Sequence, residues 1–567
     1  MKQSLCHLKT PFENGGQSTW QTEYPRPQLK RDSYISLCGQ WDLFVSSKSD
    51  ERYLGKIQVP FVPESRLSGI ERPMKKGESY RYATSFAIPQ IPSDRRLLLH
   101  FGAVDQIARI LVNGQWIGEH TGGYRSFCYD ITDVLCEGEN TLWVSVIDDL
   151  DQALPYGKQR KKRGGMWYTP TSGIWQPVWM EWVPQNYIRS LTITPTLSSV
   201  TIRVEGGNGT KCLTLNDGSQ YQFEGESVTV TPQNPHLWSP EDPYLYDFTL
   251  TDGEDTVASY FALRTVTSEW INGKALLCLN GKPYFFHGLL DQGYFSDGIY
   301  LPATPEGYAF DVKTMKSLGF NTLRKHIKIE PDLFYYYCDK YGMIVFQDMV
   351  NSGKYSFLVD TALPTIGLKR ILKWPAGAKQ KQYFMSHCQE TVTALYNHPC
   401  VCYYTIFNEG WGQHTPDRLY DFCKGLDDTR IWDTTSGWFF SKKSDVQSEH
   451  IYFRKIRCKP SARPLVLSEF GGYACAVDGH RFNLSKDYGY KTCSSTEQLQ
   501  QDLLCLYREQ VIPAIEQGLC ATILTQVSDV EDEINGLVTY DRQVVKVSEH
   551  KMQTLARELF EAFESNL

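Results

Sequence analysis

No Cys-x-x-Cys pair occurs in the 567 residues, although the chain carries 16 cysteines. That removes the commonest spacing of a zinc or dithiol site. Cys400 and Cys402 fall on one face of a strand, but no second pair of ligands stands at a sensible spacing, so no metal is expected. Most of the thiols sit in apolar runs, such as those around Cys278, Cys338 and Cys520. They read as free, buried side chains of a reducing cytoplasm. No stretch reaches eighteen uninterrupted apolar residues, so no membrane span is expected. The start, MKQSLCHLKTPFENGG, lacks the apolar segment of a secretory signal, which also points to the cytoplasm. Net charge is only −7 on 65.0 kDa. With no basic block, nothing argues for a nucleic-acid partner. Internal repeats and low-complexity linkers are absent too.

What is present is length and aromatic side chains. The length suggests about three or four domains. Aromatics make up 13% of the chain, with 14 Trp and 34 Tyr; such faces suit sugar rings and domain cores alike. Residues 1–184 read as all-β. YRYATSFAI, RRLLLHFGAV, IARILVNGQWIGEH, CYDITDVL and TLWVSVID are short runs between turn residues, and Asn113-Gly114 is a strong two-residue hairpin signal. This is the pattern of a jelly-roll β-sandwich, closed by the tryptophan-rich stretch GGMWYTPTSGIWQPVWME. Residues 185–270 alternate cleanly as a smaller β unit of immunoglobulin-like size, without a Cys…Trp…Cys framework. It reads as a spacer.

From residue 271 to 567 the period changes to alternating strand and helix. About seven or eight such units fit one (β/α)8 TIM barrel. Residues 349–374 form a long irregular insertion of the kind that often carries function. In NHPCVCYYTIFNEGWGQ, a buried strand from Val401 to Phe407 ends in Asn408-Glu409. In PLVLSEFGG, another strand ends in Glu469. Active-site groups of β/α barrels stand at the C-terminal ends of strands, and two carboxylates there are the pair that glycoside hydrolysis needs.

These pieces resemble glycoside hydrolase family 2, the family of β-galactosidases, β-glucuronidases and β-mannosidases. The resemblance covers nearly the whole chain. It runs through VPFVPESRLSGI and TSGIWQPVWME in the first domain, LWSPEDPYLYDFTL in the second, and NGKPYFFHG, GFNTLRKH, NHPCVCYYTIFNEGWGQ and LVLSEFGG in the barrel. It implies a retaining exo-β-glycosidase with Glu409 as general acid/base, Glu469 as nucleophile and Asn408 on the sugar 2-hydroxyl. It also implies a carbohydrate substrate and no metal or organic cofactor. Among supporting residues, Arg324 ends the second strand and is placed to pair with Glu469; an ordinary barrel salt bridge is the alternative. His326 follows it at the rim. Tyr452 is placed to donate to Glu469, and His450 shares its face by period-two spacing. Trp411 either stacks on a sugar or lids the barrel. Asp291 completes the expected substrate contacts.

Three departures bear on the sugar. The first strand is followed by LLDQGYFSDG, with Asp291, Gln292 and Tyr294, in place of a His-Glu-Asp or His-Glu-His run. The eighth is followed by TQVSDVEDEING, with Gln526 in place of an aromatic platform. No Asn-x-Lys follows Glu469, the pair with which β-glucuronidases grip a uronate. Asp529, Glu531 and Asp532 make that mouth read as acidic, which disfavours an anionic sugar. A β-galactosidase-like activity is therefore expected first, with a β-glucuronidase or another family 2 glycosidase as the alternative. A carbohydrate-binding protein with a dead barrel and a transglycosylase are the other readings. Self-association into a homo-oligomer is left open.

Overall fold

The computed structural model describes residues 5–14, 19–47, 50–365, 375–439 and 441–567. Two antiparallel sheets form the first unit. The larger has six strands in the spatial order Asp50–Val59, Gly39–Ser47, Glu78–Ile88, Gly138–Ile147, Ile107–Val112, Gln115–Thr121. The smaller runs Tyr34–Ser36, Val178–Pro184, Arg95–Phe101, Phe127–Asp130. Alternation builds the core between them. Along Gly138–Ile147, Leu142, Val144 and Val146 face inward onto Leu43, Tyr82, Leu99 and Met180, while Trp143 and Glu139 face out. Asn113 and Gly114 link the last two strands of the larger sheet with φ of 51° and 74°. Those are the values a two-residue hairpin of matching twist requires.

A second sandwich follows. Its three-stranded sheet contains Ile188–Pro195, Val200–Gly206 and Ser227–Val230, and its four-stranded sheet contains Gln220–Phe223, Lys211–Leu215, Tyr246–Asp252 and Asp255–Phe261. They close over Ile193, Ile202, Leu213, Phe248 and Phe261.

The barrel has eight parallel strands: β1 Phe286–Asp291, β2 Thr322–Lys325, β3 Ile344–Asp348, β4 Val401–Asn408, β5 Ile431–Ser436, β6 Gln447–Ile451, β7 Leu465–Gly471 and β8 Leu519–Thr525. Each hydrogen-bonds to its sequence neighbours except at one seam, and β8 pairs back onto β1. The seam lies between β5 and β6. It is bridged by the Asp445 amide donating to the Trp432 carbonyl at 2.9 Å and by Ser436 against His450. Most of these strands are buried along their whole length, as parallel strands covered on both faces must be.

Helices α1 Glu306–Ser317, α2 Asp332–Tyr341, α3 Ala378–Leu395 and α4 Pro416–Leu426 follow β1 to β4; α5 Thr496–Leu506 follows β7 and α6 Glu549–Ser565 follows β8. Among the described residues no helix follows β5 or β6, so the eightfold alternation expected from the sequence is complete in strands and not in helices. The insertion at 349–374 is described only in part. A π-helical turn spans Phe357–Ala362, and 366–374 lie outside the described residues.

Of the three tryptophans expected to close the first sandwich, Trp179 lies wholly within it, stacked on His100 at 4.8 Å, and Trp175 bridges it to the barrel. Trp175 donates to the Gly123 carbonyl at 2.6 Å in the first unit and also packs on Tyr300 of the barrel at 5.0 Å, while Trp167 packs against Trp411 of the barrel at 5.1 Å. All 16 cysteines are free thiols. Among the described residues no helix is long and apolar enough to cross a membrane.

Candidate active site

β4 ends at Asn408, and the next residue turns sharply. Glu409 has φ 52°, an uncommon left-handed conformation for a side chain of its size, and its amide donates to the Ser436 carbonyl at 2.9 Å. Such strain, of the order of 1 kcal/mol or more, persists only where the surroundings impose it. Glu469 lies within β7 and is buried. One carboxylate oxygen of each glutamate and one ring nitrogen of His450 all lie within 4.8 Å of one another.

The two carboxyl groups have different surroundings. Glu469 Oε1 accepts from Arg324 Nη1 at 3.0 Å, and Oε2 accepts from the Tyr452 hydroxyl at 2.7 Å. Burial alone would raise its pKa. The facing His450 ring, the Arg324 guanidinium and the Tyr452 hydrogen bond overcome that and hold it down at about 2. Glu409 Oε1 meets His450 Nδ1 at 3.0 Å, and its side chain is the more exposed of the two, 14% against 6%.

Arg324 organises the floor of the site. Its Nε donates to Asp348 at 2.9 Å, Nη1 to Glu469 and to the Ser468 carbonyl, and Nη2 to Asn408 Oδ1 at 2.8 Å. The Asn408 oxygen is thereby occupied, which leaves its amide hydrogens for a ligand. His326 Nδ1 sits 2.8 Å from Asp348 Oδ2, and burial lowers the ring's pKa to about 4, so it is neutral near pH 7. A neutral ring donating from Nδ1 keeps Nε2 as an acceptor. Tyr490 stacks on Tyr452 at 3.9 Å.

Two expected contacts fall elsewhere. Asp291 is engaged with Lys325 at 2.6 Å and the Gly293 amide at 2.9 Å, within a buried network that includes Glu330 and Lys328. Its carboxylate is consumed by protein partners. Trp411 is 97% buried, donates its indole N–H to the Gly353 carbonyl at 3.1 Å, and meets Tyr156 and Trp167 edge-on. It is a wall of the site, nearer to the lid reading than to a stacking platform. The acidic mouth also changes character. Asp529 is paired with Lys546 at 2.6 Å, and Arg163 reaches Glu531 at 3.3 Å and Asp532 at 2.9 Å.

Other functional groups were not singled out from the sequence. Asp348 ends β3 in IVFQD and was readable as one more strand-end carboxylate. Tyr490 lies in an irregular loop with no periodic signal. Lys158, Arg163, Trp167 and Tyr168 come from the first sandwich's last long loop, where Trp167 and Tyr168 belong to the tryptophan-rich stretch read as part of the sandwich. Tyr168 donates to Glu533 at 2.5 Å, and the Gly157 amide donates to the Asn351 carbonyl at 3.3 Å. The first unit thus helps to wall the barrel mouth.

Among the described residues, Glu409, His450 and Glu469 also form the one cluster of metal-ligating type. Arg324 stands 3.0 Å from Glu469, so a divalent cation there would face a fixed positive charge.

Three family models cover the chain. Residues 53–189 match the glycosyl hydrolase 2 galactose-binding domain-like family, 186–264 match glycosyl hydrolases family 2, and 271–556 match the family 2 TIM barrel domain. The barrel match alone spans half of the sequence.

The chain belongs to glycoside hydrolase family 2.

This family 2 member is 25% identical to a β-galactosidase of Pseudoalteromonas haloplanktis over 434 residues, 70% of this chain and 38% of that protein. It is 24% identical to a β-glucuronidase of Bacteroides fragilis over 56% of this chain and 48% of that one. The chain therefore spans less than half the length of these curated relatives. Among solved structures, the β-D-glucuronidase of Dictyoglomus thermophilum superposes with a TM-score of 0.75 at 19% identity, over 95% of this chain and 98% of the other. A family 2 β-galacturonidase of Eisenbergiella tayi, bound to galacturonate, gives 0.69 at 19% identity over 95% and 99%. At these identities the superpositions speak to the fold.

Proposed function

We propose that the chain is a retaining exo-β-glycosidase acting by double displacement. The observation that carries this is the pair of glutamate carboxylates, with oxygens no more than 4.8 Å apart, one clamped by Arg324 and Tyr452 and the other free of any Lys or Arg partner among the described residues. Retention wants a separation of ~5–5.5 Å between the carboxyl groups, and inversion wants room for a water between them. Glu469, held ionised, attacks the anomeric carbon. The glycosidic bond breaks as Glu409 gives its proton to the leaving oxygen. Glu409 then takes a proton from water, which attacks the same carbon and releases Glu469. Asn408 Nδ2 and His326 Nε2 offer a donor and an acceptor to sugar hydroxyls.

The test is a panel of 4-nitrophenyl β-glycosides with the Glu469→Ala and Glu409→Ala variants. Glu469→Ala is expected to remove essentially all turnover. Glu409→Ala is expected to lose about 10²–10⁴-fold on poor leaving groups, with azide restoring rate on good ones. Near-normal rates in either variant refute the assignment. A panel with no turnover favours the carbohydrate-binding alternative.

A galactose-type sugar is the first choice from the sequence. The ion pairs of Asp529, Glu531 and Asp532 weaken one of the two arguments against an anionic sugar, and Lys158 supplies a counter-argument. Its ammonium and the Arg160 guanidinium lie 5.8 Å and 5.7 Å from the Trp167 ring centre. Among the described residues neither forms a salt bridge, and the Lys158 charge is felt by His326 and Glu533 at the mouth. On this second reading the substrate is a uronide such as the glucuronidase and galacturonidase relatives take. Comparing kcat/KM on 4-nitrophenyl β-galactoside, β-glucuronide and β-galacturonide in Lys158→Ala decides it. A loss of about tenfold or more confined to the uronides, the scale of one charge-assisted contact, supports it. An equal loss on all three, or none, removes it.

A further inference from the structure

His450 stands on the inward face of β6 beside Tyr452, where spacing alone suggests a contact to sugar. Its ring has no nitrogen to spare for one. Nδ1 lies 3.0 Å from Glu409 Oε1 and 3.5 Å from Glu469 Oε2. Nε2 lies 2.9 Å from Ser436 Oγ and 3.3 Å from Arg324 Nη1. The ring is also fixed in place. Trp438 Nε1 donates to the His450 carbonyl at 3.2 Å, and Gly437 lies so close that a Cβ there would stand 2.7 Å from the ring.

Counting hydrogens assigns the ring's protons. Ser436 Oγ donates its one hydrogen to Ser468 Oγ at 3.0 Å, and Ser468 Oγ donates to the Glu449 carbonyl at 3.3 Å. Arg324 Nη1 uses its two hydrogens on the Ser468 carbonyl and Glu469 Oε1, each at 3.0 Å. Arg324 Nη1 spends its hydrogens on these two shorter contacts rather than on Nε2 at 3.3 Å, and with the Ser436 hydrogen on Ser468 the ring nitrogen is the donor of the 2.9 Å contact to Ser436. That leaves the line from Nδ1 to Glu409 Oε1. One proton lies on it, bound to the ring or to the carboxyl, since a lone pair facing a carboxylate at that distance would repel. The charged or titratable groups facing the ring are Arg324 from β2, Glu409 after β4, Asp433 from β5 and Glu469 from β7.

We propose that His450 is a positioning residue that holds, with its tautomer set by Ser436 and Ser468, the proton Glu409 delivers to the leaving group. This rests on the assignment of Glu409 as the acid. In the first half-reaction the glycosidic carbon–oxygen bond breaks with its electron pair on the aglycone oxygen, the bond from Glu469 to the anomeric carbon forms, and the proton leaves the Glu409–His450 line for that oxygen. In the second, attacking water returns a proton to the same line and the Glu469 ester breaks.

The test uses the full chain and two substrates of the sugar it turns over best, the 2,4-dinitrophenyl β-glycoside, which leaves without a proton, and the phenyl β-glycoside, which needs one. His450→Phe is expected to lose about 100-fold in kcat/KM on the phenyl substrate, within the range of general acid catalysis, and under about fivefold on the dinitrophenyl one. His450→Gln keeps a polar group and is expected to fall less on the phenyl substrate. Ser436→Ala, which frees the tautomer without touching Glu409, is expected to shift the same ratio by a smaller factor. Equal losses on both substrates, as a purely structural role would give, overturn the proposal. If His450→Phe shows no thermal unfolding transition, the ratio in His450→Gln and Ser436→Ala decides. Glu409→Ala runs beside them: if its loss is also independent of leaving group, the acid assignment fails; if it depends on leaving group and the His450 variants do not, only this proposal fails.

Discussion

Arg324 is the residue on which the site's charges depend. It is fully buried and holds Asp348, Glu469 and Asn408 at once. Removing it leaves two buried carboxylates without their counter-ion, a change that costs about 3–5 kcal/mol when one partner of a buried pair is lost. Arg324→Met is expected to lower the thermal midpoint by several degrees and to abolish turnover, read by calorimetry and by any aryl glycoside the wild type accepts. Glu469 makes a pH prediction at the same scale. Its pKa in the fold, about 2, lies below the ordinary 4.5. The ionised form therefore stabilises the fold fully above the ordinary carboxylate range, and that contribution is lost as pH falls toward about 2. Thermal midpoints measured from pH 6 to pH 2.5 should decline over the lower part of that range, and Glu469→Gln should flatten part of the decline. An unchanged slope would show that Glu469 is not held ionised.

Strands and turns were more readable than the residues they carry. Buried parallel strands announce themselves as apolar, β-branched runs, so β4 and β7 could be found from pattern, with Glu409 just past the end of one and Glu469 two residues before the end of the other. Period two put His450 and Tyr452 on one face; it could not say that His450 would be used up by Glu409 and Ser436, because those partners lie on other strands. The missing helices after β5 and β6 had no signal of their own, since absence of a pattern over ten residues looks like any loop. Gly437, just after β5, has φ 96° and sits against the His450 ring. A side chain there pays the left-handed penalty of about 1–2 kcal/mol and pushes on the ring. Gly437→Ala is thus expected to lower both the thermal midpoint and kcat/KM on the phenyl β-glycoside, with a smaller loss on the dinitrophenyl one.

At the scale of the whole molecule, one apolar core runs from the barrel into the parts before it. Trp20, Phe61, Tyr124, Trp167, Trp175 and Trp238 belong to the same buried cluster as Phe286, Phe346 and Trp411. The loop carrying Lys158, Arg163 and Tyr168 is clamped to the β8 loop by ion pairs and to the β3 loop by the Tyr156 and Gly157 amides. A barrel expressed alone from residue 271 would expose that surface. It is expected to be aggregated or inactive, read by size-exclusion chromatography and turnover; a monodisperse and fully active barrel would show that the first sandwich contributes nothing to the site.

The sequence by itself determined the two sandwiches, the barrel, and the two glutamates, because each is written in local periodicity or in a short motif at a strand end. Only the tertiary structure decided what surrounds them. Asp291 lost its carboxylate to Lys325, the acids after β8 were partly offset by Arg163 and Lys546, Trp167 left its own domain for the barrel, and His450 came to stand between the two glutamates. Each of these is a contact between residues far apart along the chain. Charge and hydrogen bonding act over a few ångströms of space, and nothing in local spacing encodes which distant groups will be brought within that range.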